Sequence, residues 1–70
     1  MNIKSLNILQ EILSYLELSN DLNEYAIEDV RDKDMQRAKT HLLVLADYLY
    51  KAYTELDNVI DNELNKNNVI

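Results

Sequence analysis

No glycine and no proline occur among the 70 residues of this chain. Average usage is roughly 7% Gly and 5% Pro, so about eight would be expected. Without glycine, the turns that need φ > 0 become costly, and with them most tight hairpins. Without proline, the strongest helix breaker is gone. Cysteine is absent too, which excludes disulfide staples and thiolate metal sites. There is no Phe or Trp and a single His, too few imidazoles for a histidine-built zinc centre. No continuous apolar run is present to act as a signal peptide or a membrane span. These absences predict an all-α protein with a cytoplasmic location.

What remains is acidic and moderately apolar. Hydrophobic residues make up 47% of the chain, and 13 acids against 7 bases give a net charge of −6. The apolar share is normal for a folded chain, so disorder is not expected. The charge argues against a nucleic-acid footprint, which is basic, and against docking on an anionic membrane. It favours a basic-surfaced protein partner. At this length only a modest core can be buried. Stability is then expected from regular helix packing or self-association.

The apolar spacing predicts helices at about 3–18, 22–30 and 35–65, with a frayed tail at 66–70, in one helical domain over 1–70. In the first, Ile3, Leu6, Leu9, Ile12, Leu13 and Leu16 recur on one side, after Asn2 as N-cap. Ser19-Asn20-Asp21 reads as a break, with capping-box spacing from Asp21 to Glu24. The charged run Arg31-Asp32-Lys33-Asp34 reads as a second break, with Asp32 or Asp34 capping the third helix. From Met35, the residues Ala38, Leu42, Leu45, Leu49, Ala52, Leu56 and Val59 alternate at spacings of four and three. Ala46, Tyr53 and Ile60 widen that stripe. The third helix would be about 45 Å long and the first two together about 37 Å. The expected fold is thus a small antiparallel hairpin or three-helix arrangement with one long C-terminal helix, completing its core as a dimeric bundle.

Leu42-Leu43-Val44-Leu45-Ala46 is apolar on all sides, and such a helix is buried on more than one side. The first two helices can cover only one flank of the third. Leu43 and Val44, with Tyr50 one heptad beyond Leu43, are therefore expected to meet another copy of the chain. The alternative is a fuller intrachain core.

Chemistry finds little footing. His41 has Arg37, Ala38, Val44 and Leu45 as its helical neighbours, so no Glu-x-x-His metal pattern exists around it. Asp29, Asp32 and Asp34 are crowded, but Arg31 and Lys33 interleave them, and a calcium loop of the EF-hand type needs Gly. No nucleophile with a neighbouring base and no Gly-rich phosphate loop is present. No enzyme activity, metal or other cofactor is expected. Asp47, Tyr48, Tyr50, Asp57 and Asp61 form a candidate partner-binding surface instead, acidic with tyrosine anchors. A solvated outer face is the plainer account of the same acids.

The run Ala46-Asp47-Tyr48-Leu49-Tyr50-Lys51 resembles the second helix of the Rop hairpin of plasmid copy control. The resemblance covers these six residues and implies a dimeric antiparallel helical bundle. The Rop family binds paired RNA loops through bases and an aromatic on its first helix, whereas the first helix here has Lys4 as its one base. The leading expectation is a non-enzymatic acidic adaptor or inhibitor. A phage or mobile-element accessory protein that blocks a host defence protein fits the size and the Asn-, Ile- and Lys-rich composition. A bundle-forming assembly subunit is the alternative, and a Rop-like nucleic-acid regulator is the third.

Overall fold

The computed structural model describes residues 1–67, with side chains described through residue 64. Two helices, α1 (Ile3–Arg31) and α2 (Met35–Asn67), pack against each other as an antiparallel hairpin. No strand occurs among the described residues. The hairpin is a rod, 58 × 16 × 11 Å along its principal axes.

The expected break at Ser19-Asn20-Asp21 does not exist: α1 runs unbroken through it, so the hairpin and not the three-helix arrangement is the fold. The reason lies in Ser19. Its side chain is buried against α2, and its hydroxyl donates to the Tyr15 carbonyl at 2.8 Å. A residue that reads as a breaker serves here as a small spacer whose polar atom is satisfied inside its own helix. The tail expected to fray is helical as far as Asn67, and residues 68–70 lie outside the described residues.

Both helix starts use the expected caps. The Asn2 side chain accepts from the Ser5 amide at 2.8 Å, and Asp34 accepts from the Arg37 amide at 3.1 Å. Each satisfies an amide that has no partner within the helix. Three residues, Asp32 to Asp34, make the turn between the helices. The Asp34 amide donates to the Asp29 carbonyl and the Lys33 amide to the Val30 carbonyl. This is the paired bonding of a Schellman motif, which puts Lys33 where glycine is usual. Lys33 accordingly has φ of 60°, the one positive value among the described residues.

The seam between the helices repeats every seven residues. Ser5, Ile12, Ser19 and Ala26 are buried on α1; on α2, Ala38, Ala52 and Val59 are buried and Leu45 half-buried. Tyr15 stacks on Tyr48 with ring centroids 6.0 Å apart, which fixes the antiparallel register. Ser5 is then level with Val59, Ile12 with Ala52, Ser19 with Leu45 and Ala26 with Ala38. Every layer holds at least one small residue, so the helices can approach closely. The consequence is a thin core. The buried apolar side chains are Ile12, Ala26, Ala38, Ala52 and Val59, mostly alanine. Most of the large ones are exposed, while Ile8, Leu9, Tyr15, Leu22, Leu45 and Tyr48 are half-buried.

Candidate functional site

Helical geometry sorts the exposed residues into faces. Successive residues turn by about 100°, so on α1 the rows Leu9-Leu16-Asn23-Val30 and Leu6-Leu13-Asn20-Ile27 lie to one side of the seam. On α2 the corresponding rows are Met35-Leu42-Leu49-Leu56 and Lys39-Ala46-Tyr53-Ile60. Because the helices are antiparallel, these rows turn toward the same side of the hairpin. A groove spanning both helices bears this out: Asn23, Ala26, Ile27 and Val30 of α1 line it together with Leu42 of α2. The result is one apolar face along the rod. Leu42 is 47% exposed, Leu49 44% and Tyr53 68%. Leu42, Leu49 and Leu56, expected in the intrachain stripe with Ala38, Leu45, Ala52 and Val59, thus line a different surface from those four.

Leu43 and Tyr50, both exposed, border this face one heptad apart. Val44 turns the other way, to the opposite side of the hairpin, where Leu18 of α1 is also exposed. Leu43 and Val44 nonetheless line one shallow concavity on the back of α2, together with Ala46 and Asp47.

The acidic surface divides as well. Asp47 and Asp61 lie on the outer back of α2 with Thr54 between them, whose hydroxyl donates to the Tyr50 carbonyl at 2.9 Å. Asp57 lies one heptad beyond Tyr50, between that back and the apolar face. Tyr48 is withdrawn from the group: it is half-buried against Tyr15. Lys51 sits 5.5 Å from the Tyr48 ring centroid and 3.1 Å from the Asp47 carboxylate. The hydrogen bond and charge of Asp47 hold the Lys51 ammonium above the usual lysine range. Asp47 is thus paired with a cation, while Tyr50, Asp57 and Asp61 stand exposed.

A polar cluster beside the turn has no counterpart among the sequence-based expectations. Asp29 is buried; its Oδ2 accepts from His41 Nδ1 at 2.6 Å, and its Oδ1 lies 3.7 Å from Arg37 Nε. The Tyr25 ring lies 5.5 Å from the His41 ring. The neighbours of His41 on its own helix hold no carboxylate; its partner comes from the other helix, 12 residues away. The signal available in sequence was positional: Asp29 continues the Ile8-Tyr15-Leu22 row, so an acid there faces α2. Of the three crowded aspartates, Asp29 faces the partner helix, Asp32 ends α1 and Asp34 starts α2.

No group of three or more His, Cys, Asp or Glu among the described residues is placed to hold a metal ion. No described helix is long and apolar enough to cross a membrane. Two buried polar atoms lack a partner among the described residues, Ser5 Oγ and Glu63 Oε1, both toward the open end of the hairpin. No protein-family model, curated protein or solved structure matches the chain.

Proposed function

We propose that this chain is a non-enzymatic interaction protein, a small acidic helical adaptor or inhibitor that acts as a dimeric bundle. One observation carries the reading: the seam of the hairpin is built mostly of small residues, and most of the large apolar residues are left exposed. An apolar face of this extent is rare on a protein that works alone. It is half of an interface, and the acidic outer surface is what a bundle built on it would present to others. Blocking a basic-surfaced protein of a host, as an accessory protein of a phage or mobile element, fits this arrangement.

The surface for such a partner comprises Tyr50, Asp57 and Asp61, with Asp47 and Tyr48 beside them. Acidic groups at a rim mainly speed association and are screened by salt, whereas a tyrosine anchor slows dissociation. The test begins with affinity capture from a bacterial lysate, followed by binding kinetics with the captured protein. Asp57→Lys with Asp61→Lys should lower the on-rate roughly tenfold at 50 mM salt and much less at 300 mM. Tyr50→Ala should raise the off-rate. Wild-type kinetics from both variants at both salt concentrations would place recognition elsewhere. The same apolar face also favours a second reading, a subunit of a larger helical assembly. Capture of sister subunits in place of one stoichiometric target would support that alternative.

A further inference from the structure

We infer that the apolar face is covered by a second copy of this chain, paired with both turns at the same end to form a four-helix bundle. This rests on the interaction reading above and names its first partner. The area is sufficient. Leu9 apart, the large side chains of the face are 41% to 68% exposed and together offer roughly 1,000 Å² per chain, so full coverage of two faces would bury about 2,000 Å², within the range of stable dimers.

The face is not uniformly apolar, and its polar residues select the occupant. Asn20 and Asn23 interrupt the α1 rows near the middle of the rod, and both are exposed in the single hairpin. Asn23 lies in the row that points to the middle of the covered face, and against a purely apolar partner its amide would be buried without hydrogen bonds. Two-fold symmetry allows two ways to bring the faces together. With the turns at opposite ends, α1 lies beside α1 of the other copy. Asn20 and Asn23 then meet the Leu9 and Leu13 region, and Glu17 meets its own copy. With the turns at the same end, α1 lies beside α2 of the other copy. The two Asn23 residues then share one layer across the axis, where amides can both donate and accept. Leu6 is level with Ile60, Leu13 with Tyr53, Asn20 with Ala46 and Ile27 with Lys39, whose ammonium reaches past the edge of the face to solvent, while Tyr50 comes beside Glu17 at the rim. A buried asparagine layer of this kind sets register and orientation in helical assemblies.

The chain has no cysteine, so Asp32→Cys, at the exposed turn, takes a single spin label. Sedimentation equilibrium of the labelled full chain at tens of micromolar should give a dimer. Pulsed electron paramagnetic resonance should then give a label separation of about 20 Å, the width of a bundle with helices 8–10 Å apart. Opposite ends would give about 50 Å, close to the 58 Å length of the rod. Val44→Glu, on the far side, should leave the dimer intact, whereas Leu49→Glu should weaken it by about 100-fold or more. Asn20→Leu with Asn23→Leu keeps the helices and should add a second population near 50 Å, since the orientation signal is gone. A monomer, a larger oligomer or a single separation near 50 Å in the parent would overturn the inference. So would a dimer lost in Val44→Glu and kept in Leu49→Glu, or a single short separation in the double leucine variant. A monomer that still captures a target from lysate would sink only this pairing, leaving the adaptor reading in place.

Discussion

Lys33 holds a left-handed conformation that a side chain makes unfavourable. It does so because the turn must reverse the chain in three residues and glycine is absent. The strain is local, and so is its remedy. Lys33→Gly should stabilise the fold by about 0.5–1 kcal/mol, the relief being partly offset by the greater freedom of glycine when unfolded. A higher urea midpoint at unchanged slope would register it, and an unchanged or lower midpoint would show that Lys33 carries no strain. Asp32 and Asp34 bracket the turn, while a lysine takes the left-handed position. Sequence could not place it, because the position follows from where α1 ends, not from any preference of lysine.

Between the helices, small residues at every seventh position decide the fit. Ala52 is buried level with Ile12, and a larger side chain there would force the helices apart. Ala52→Leu should therefore destabilise by about 1–3 kcal/mol despite its added hydrophobicity. Thr54→Ala, on the exposed back of α2, should change stability by less than about 0.5 kcal/mol. Thermal melts of the two variants compare them directly, and equal effects would mean that the seam is misplaced. The α2 stripe from Ala38 to Val59 was legible, since periodicity survives translation into structure. Which part of it faces α1 was not, because the stripe is wide enough for two contacts and one chain supplies one. Ser19 was misread as a breaker for a related reason: close helix approach and a turn both favour small polar residues. The Asp29–His41 pair was invisible to spacing arguments confined to one helix.

As a whole, the hairpin keeps too little apolar surface inside to be comfortable alone. Its buried apolar side chains are mostly alanine, and small domains with thin cores need a staple or a partner. The chain has no cysteine for a disulfide, and no cluster of metal-ligating side chains occurs among the described residues, so stability should depend on association. Raising the chain concentration from 1 to 100 µM should shift the thermal midpoint upward by several degrees, as mass action requires when folding and pairing are linked. Circular dichroism melts at the two concentrations read this, and superimposable curves would identify a self-sufficient monomer.

The seven-residue repeat has a consequence for how such a chain can change length. The Ser/Ala seam and the apolar rows beside it share a single period, so they keep or lose their phase together. One residue inserted at mid-helix would rotate everything beyond it by about 100°. Leu18 and Tyr25 on α1, or Lys51 and Asn58 on α2, would swing into a seam sized for alanine, while the small residues would swing out and the leucine rows would turn to the back of the hairpin. Seven residues inserted at the same place would leave both surfaces in phase and lengthen the rod by about 10 Å. Gains and losses within α1 or α2 are therefore tolerable in steps of two turns, while the three-residue corner is free of that arithmetic.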